Sequence, residues 1–307
     1  MILCCGECLI DMLPRETTAG EAAFSPVPGG AVFNTARALA RLGAPTGFFS
    51  GISTDLFGRL LTTALADDGV DHAMAAVSDR PTTLAFVSLD AGQARYDFYD
   101  ENTAGRMLDA DDLPETDRAE VLFFGGISLA VEPCAAAYET LARRARAAGR
   151  IVALDPNVRA GFVRDEAVYR ARIDRMISMA DIVKISDEDL RWLMGDGDPQ
   201  ALARSLLERG PRLVCLTRGA EGVTGHTTEL QIDVAATRVE VVDTVGAGDT
   251  FNAGLLAALY EAGVLTGDGL SHLAEGPVRQ ALSLGVAAAA ITVSRAGANP
   301  PHRAELA

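Results

Sequence analysis

The chain has 307 residues, 49% of them hydrophobic and 6% aromatic, enough to bury a sizeable core in one large domain or two modest ones. Its formal net charge is −15, from 27 basic and 42 acidic side chains. Such a field repels phosphate backbones and anionic lipid, so neither nucleic acid nor membrane is an expected partner, and an anionic substrate needs a local cluster of donors.

Taken in order, residues 2–13 read as a first strand. They lack a basic leader and a long apolar core, and no run of about 18 apolar residues follows. No secretory signal or membrane span is therefore expected, and the expected location is cytoplasmic. Cys5-Gly6-Glu7-Cys8 has the C-x-x-C spacing, but residues three apart in a strand point to opposite faces. These thiols, with Cys134 and Cys215, are read as buried structural groups.

Residues 34–42 have helical spacing and end at Gly43, 46–50 form a short strand, and 57–68 a helix ending at Gly69. Residues 82–88 and 93–99 alternate, with the hairpin signal Asp90-Ala91-Gly92 between them. Together with the stretch after Leu9 they form either a small separate sheet, a flap over a site, or an edge hairpin of the main sheet. Residues 121–124, 151–154, 182–185, 213–217 and 239–242 are short strands, mostly apolar, and 135–148 is a helix closed by Gly149. This alternation predicts one α/β domain, a parallel sheet covered on both faces, with a small insertion. Ligands in such folds bind beyond the carboxyl ends of the strands.

The segment 241–251 carries the most chemistry. A strand ending at Val242 leads into a loop with Gly246 and Gly248, then a helix over 250–262. Glycines let the backbone approach an anion, and a helix N-terminus presents free N–H groups. Asp249 at that terminus is either a plain N-cap or a base that takes a proton from an alcohol while the donors hold a phosphoryl group. The sequence has no G-x-x-x-x-G-K-[ST], G-x-G-x-x-G, G-x-S-x-G or H-E-x-x-H, which disfavours P-loop enzymes, nicotinamide dehydrogenases, serine hydrolases and zinc peptidases.

Asp243-Thr244-Val245-Gly246-Ala247-Gly248-Asp249-Thr250-Phe251 resembles the C-terminal signature of the ribokinase-like (PfkB) carbohydrate kinases, and Pro28-Gly29-Gly30-Ala31-Val32-Phe33-Asn34-Thr35-Ala36 resembles their N-terminal one. Gly6-Glu7-Cys8-Leu9-Ile10-Asp11 is similar to the openings of the fructokinases among them. Asp155-Pro156-Asn157-Val158-Arg159 and Thr217-Arg218-Gly219-Ala220-Glu221-Gly222 match in order and spacing. The resemblance spans nearly the whole chain. It implies an α/β ribokinase-like fold, a central mostly parallel sheet with helices on both faces and a small β-sheet lid from segments near 9–27 and 82–100.

The activity implied is transfer of the ATP γ-phosphoryl group to a hydroxyl of a free sugar, with fructose favoured by the opening motif and by Asp97-Phe98-Tyr99 followed by Thr103-Ala104-Gly105-Arg106. The enzymatic alternative is 2-keto-3-deoxygluconate kinase, whose acidic substrate needs a cation from Arg106 or Arg159. The alternative from another class is a silent sugar-binding or regulatory protein on the same scaffold.

By the same resemblance Asp249 is the base, and Gly246, Ala247 and Gly248 form the anion hole. Asp11, Gly30, Asn34, Phe98 and Arg159 meet the sugar, with Asp11 also readable as a turn residue, Asn34 as a helix N-cap, Arg159 as half of a surface ion pair and Phe98 as ordinary lid core. Asn157, Ser186, Thr217, Gly219 and Gly222 line the nucleotide site with Gly246 and Gly248. Mg²⁺ accompanies ATP. A monovalent cation, K⁺, belongs near Asp243, Val245 and Gly297. Ser186 and Asp189 depart from the family's Asn-x-x-Glu, which puts a direct metal role there in doubt. The lid hairpin offers an edge for a homodimer.

Overall fold

The computed structural model describes residues 1–90 and 93–306. In chain order the first strands are β1 (Ile2–Cys5), β2 (Leu9–Glu16) and β3 (Ala22–Gly29), followed by helix α1 (Ala31–Arg41), β4 (Thr46–Phe49), β5 (Gly51–Ser53) and α2 (Leu56–Asp67). Next come β6 (Ala76–Ser78), β7 (Leu84–Asp90), β8 (Gln93–Tyr99), β9 (Val121–Gly125), α3 (Cys134–Ala147), β10 (Ile151–Asp155) and α4 (Glu166–Met179). The last part holds β11 (Ile182–Ser186), α5 (Asp187–Met194), α6 (Pro199–Ser205), β12 (Leu213–Thr217), β13 (Val223–His226), β14 (Gln231–Val234), α7 (Ala247–Glu261), α8 (Gly267–Ser271) and α9 (Glu275–Val293).

The main sheet runs β14-β13-β12-β11-β10-β9-β1-β4, parallel from β12 to β4 and antiparallel at β13 and β14. Its strands are apolar on both faces because helices cover both. Ile2, Cys4, Phe48, Phe123 and Ile182 face α1, α2, α7 and α9, while Leu3, Cys5, Phe49, Phe124 and Val183 face α3 to α6. The carboxyl ends of β1, β9, β10, β11 and β12 therefore open on one rim, where Gly6-Glu7, Gly125-Gly126, Asp155, Ser186 and Thr217 lie.

A second sheet, β3-β2-β7-β8, stands apart from the first. The 82–99 hairpin is thus a small separate sheet, not an edge of the main one; its Ala91 and Gly92 lie outside the described residues. Cross-strand register puts Asp11, Ala85 and Phe98 in one row on one face, and Phe86 with Asp97 on the other.

Three sequence expectations change. Residues 2–13 are two strands in two sheets, because the chain turns out of the main sheet at Gly6-Glu7-Cys8. Cys5 and Cys8 consequently belong to different layers, and all five cysteines are free and buried. Burial pushes the Cys8 and Cys215 thiols up to about 12, so they stay protonated.

Residues 239–242 form no strand. Val241 and Val242 are exposed, and the amides of Val242 and Asp243 both donate to the Val293 carbonyl at the end of α9, 2.8 and 3.2 Å away. Finally, α7 begins at Ala247 rather than Thr250, so the glycine loop is already its first turn. One helix, Glu275–Val293, is long and apolar enough to cross a membrane by length and composition, but its apolarity serves packing on α7. A Cβ on Gly254 would lie 2.6 Å from the Gly285 Cα, so the two backbones touch.

Candidate active site

Gly246 is the N-cap of α7, at φ 79°, a left-handed conformation that suits glycine. A Cβ there would also lie 2.8 Å from the Ala298 Cβ. The Thr250 amide donates to the Gly246 carbonyl at 2.9 Å and the Ala247 amide to the Thr244 carbonyl at 3.4 Å, which leaves the amides of Gly248 and Asp249 without a backbone partner among the described residues at the helix mouth. Asp249 is the third helical residue, not the cap. Its carboxylate is 7% exposed and accepts from Asn34 Nδ2 at 3.0 Å; no ion pair to it occurs among the described residues.

Desolvation pushes the Asp249 carboxyl up to about 6, the Asn34 hydrogen bond lowers it, Asp155 raises it, and Arg159 and Lys184 lower it. The group is ionised at neutral pH yet carries the proton affinity of a working base.

Asn34 lies on the first turn of α1, whose N-cap is Gly30 and not Asn34 itself. Its amide reaches across to α7, and its Oδ1 is buried without a protein partner, aimed into the same space. Thr35 Oγ1 donates to the Asp249 carbonyl at 3.3 Å, tying the two helices together. Asp11 comes from β2 rather than from a turn. Its carboxylate lies over Gly29, where a Cβ would sit 2.2 Å from Oδ2. Burial, and then the charge of Asp249, push Asp11 up to about 6.

Phe98, in the Asp11 row, packs edge to face on Phe162 with ring centroids 4.8 Å apart. Leu9, Ala85 and Ile127 complete that small apolar cluster between the two sheets. Phe98 is therefore a contact between the small sheet and the rest of the molecule as well as a sugar-facing candidate. A cleft of about 620 Å³ opens beside it, bordered by Arg106, Phe162 and Arg164. Arg106 is engaged: its Nε donates to the Glu132 carbonyl at 3.2 Å and its Nη1 is 3.6 Å from Asp100.

Beneath α7 lies a polar group that sequence reading underweighted. Lys184 Nζ donates to Asp155 Oδ2 at 3.0 Å, and Asn252 Nδ2 to the same oxygen at 2.7 Å. Asp155 Oδ1 is buried without a protein partner. Lys184 is the sequence's one lysine and is buried. Burial alone would lower its ammonium, but Asp155, Asp189 and Asp249 outweigh that and hold it above the ordinary lysine value. A Cβ on Gly248 would stand 3.1 Å from Nζ, so the glycine lets the helix mouth sit directly on a fixed positive charge. Asp155 was legible at a strand end; Lys184 and Asn252 become partners only across two layers.

The remaining predicted residues flank this centre. Arg159 is exposed and forms no ion pair among the described residues. Its Nη1 donates to the Val158 carbonyl at 3.1 Å, and its charge acts on both Asp249 and Asp189. Asn157 adopts φ 43°. Ser186 caps α5, its Oγ accepting from the Asp189 amide at 3.0 Å, while Asp189 Oδ1 accepts from the Val158 amide at 3.2 Å. Burial, then Asp155, push Asp189 up to about 6. Thr217 ends β12, and Gly219 and Gly222 form the turn to β13 with φ 49° and 98°. Asp243 accepts from the Val245 amide at 3.0 Å and the Gly297 amide at 2.9 Å, strapping the C-terminal loop to the glycine loop.

A buried carboxylate beside a helix mouth, over a fixed ammonium, can deprotonate an alcohol while amides hold the anion it attacks. Residues 1–304 match the model of the pfkB family carbohydrate kinases. The chain is 53% identical over 280 residues to a fructokinase of Rhizobium leguminosarum bv. trifolii, covering 91% of this chain and 86% of that one. Its fold is similar to the fructokinase of Xylella fastidiosa with bound ATP, at TM-score 0.89 and 30% identity over 99% and 97% of the two chains. It is also similar to the fructokinase of Vibrio cholerae O395 bound to fructose, ADP and a calcium ion, at TM-score 0.88 and 26% identity, again over 99% and 97%.

Proposed function

Because the chain belongs to the pfkB family of carbohydrate kinases and is a sugar kinase, we propose that it is an ATP-dependent fructokinase in which Asp249 takes the proton of the attacking hydroxyl. The observation that carries the base assignment is the Asp249 carboxylate itself. It is buried, free of any ion pair among the described residues, and fixed by Asn34 at the mouth of α7. A regulatory sugar binder on this scaffold would have no use for a base with a raised proton affinity beside an anion hole.

The sugar lies between the Asp11–Phe98 face of the small sheet and the N-terminus of α1. Asp11 and Asn34 each offer directional oxygen or amide groups to a diol, and Gly30 leaves the helix end open. The triphosphate runs from Thr217, Gly219 and Gly222, past Asn157 and Ser186, to Gly246, Ala247 and Gly248. There the amides and Lys184 face the negative charge that builds on the transferring phosphoryl group. Arg159, at the edge of both sites, adds a second cation.

Asp155 Oδ1, buried without a protein partner, and the carboxylate of Asp189 are the oxygens that would be available to a hydrated divalent cation accompanying ATP. Mg²⁺ bound there supplies charge neutralisation of the phosphates. A hard monovalent cation such as K⁺ would take the remaining lone pairs of Asp243, whose two oxygens already accept the Val245 and Gly297 amides, together with backbone carbonyls of those two loops.

The small sheet serves as a lid: its Phe98 meets Phe162 of the body, closing one flank of the sugar site to water. Its opposite face exposes Phe24 and Tyr99, joined edge to face through Phe86 at 5.0 and 5.3 Å, and is the surface through which a homodimer would form. The keto-acid alternative loses one of its two candidate cations, since Arg106 is already engaged by Glu132 and Asp100.

A coupled ADP-release assay over a sugar panel tests the reading. Fructose is expected to give the highest kcat/KM, and Asp249→Asn to lower turnover by about 10² to 10⁴. Wild-type turnover in that variant would remove the base assignment.

A further inference from the structure

Glu7 is a buried carboxylate that nothing in the reaction described above uses. It sits where the chain leaves β1 in the main sheet and before it enters β2 in the lid, and it is 9% exposed. No ion pair to it exists among the described residues. A buried charge without a countercharge is costly, so its retention at this crossing calls for a physical reason.

Its two oxygens are both spent on backbone amides from distant elements. Oε1 accepts from Ala31 N at 3.0 Å and Oε2 from Ser128 N at 3.3 Å. Ala31 is the first residue of α1, a helix whose N-cap is a glycine with no side-chain cap and whose first turn holds no acidic residue. Glu7 thus supplies from 24 positions away both the missing acceptor and the negative charge that a helix N-terminus favours. The surrounding backbone is shaped around it. Gly126, at φ 70°, would place a Cβ 2.1 Å from Oε1, and Gly30, at φ 110°, would place one 2.8 Å from the Glu7 carbonyl. One turn along the helix so anchored, Asn34 meets Asp249.

We propose that Glu7 is a positioning residue for the sugar end of the site: as a remote cap it fixes the N-terminus of α1 to the lid crossing and to the 126–129 turn, and so sets where Gly30 and Asn34 meet the sugar. The proposal rests on the reading of that end as the sugar site. Burial pushes the Glu7 carboxyl up to about 7, with hydrogen bonds opposing and the charge of Asp249 adding to the rise, so the fully ionised form that accepts both amides prevails above that pH.

The test compares wild type with Glu7→Gln, which keeps size and one acceptor but turns an amide donor toward a second donor, and with Glu7→Asp, which is one methylene short. Fructose KM is expected to rise about ten-fold in Glu7→Gln and less in Glu7→Asp. ATP KM is expected to stay within about two-fold, and Tm to fall by no more than a few degrees, as for the loss of one helix cap. Hydrogen exchange is expected to quicken at the amides of 31–34 and 128 and not across β9 to β12. A wild-type fructose KM in Glu7→Gln overturns the proposal, as does a rise of both KM values together with a Tm drop of about ten degrees or more, the mark of a merely structural group. Unchanged exchange at 31–34 overturns it too. Should the wild type phosphorylate no sugar, the fructokinase reading fails while the exchange measurement still decides the role of Glu7.

Discussion

As the proposed base, Asp249 would meet two opposed demands: to be ionised it must bear burial, and to accept a proton it must hold one well. Its folded pKa, about 6, lies above the ordinary 3.8. The contribution of this group to stability is therefore full below about pH 4 and is lost as pH rises through about 6. Asp249→Asn should raise Tm at pH 8, by on the order of 1–3 kcal/mol in stability, and give no gain at pH 4. Calorimetric scans at the two pH values check this. For activity the sign reverses: kcat of the wild type is expected to fall as pH drops through about 6, since the protonated carboxyl cannot accept a proton. Lys184 shows the complementary case. Removing one partner of its buried pair with Asp155 leaves an uncompensated charge, so Lys184→Met should cost about 3–5 kcal/mol. Urea unfolding of Lys184→Met against Asp155→Leu with Lys184→Met separates the pair from its desolvation, the double variant recovering part of the loss.

At the scale of elements, the alternating strands and helices were readable because each is long enough to show its period. The start of α7 was not, because Gly246 and Gly248 have low helix propensity, and the turn is tied to another layer by the Thr35 hydroxyl bonded to the Asp249 carbonyl. The first strand was misread for a related reason: an apolar run gives no sign of which sheet will accept it, and the break falls on a glycine and a glutamate that look like ordinary loop residues. The stretch 239–242 has strand composition but no neighbouring edge. Packing of α7 on α9 gives a direct test of close approach. Ala favours a helix over Gly by about 1 kcal/mol. At position 254, however, the new Cβ would stand 2.6 Å from backbone, and overpacking of that kind costs about 1–3 kcal/mol. Gly254→Ala is accordingly expected to lower Tm, measured by thermal circular dichroism; a raised Tm would mean the helices separate freely.

At the scale of the whole molecule, the fold pairs an eight-stranded sheet covered on both faces, whose strand ends carry the proposed phosphoryl-transfer residues, with a separate four-stranded sheet that carries part of the proposed sugar site. Exposed Phe24 and Tyr99 on the outer side of that second sheet make the dimer proposal testable. Phe24→Glu with Tyr99→Glu should shift a dimer to monomer in light scattering, with sugar-free folding unchanged. The sequence by itself determined the fold class, the mostly parallel sheet, the glycine loop and the candidacy of Asp249, because short apolar runs, helical spacing and contiguous motifs are local and survive without coordinates. Only the tertiary structure decided that Asn34 binds Asp249 across 215 positions, that Lys184 lies under Gly248, that Phe162 meets Phe98, and that Glu7 caps a helix it does not belong to. Each of those is a contact between layers, and which side chains share a layer boundary is fixed by packing and burial rather than by spacing along the chain.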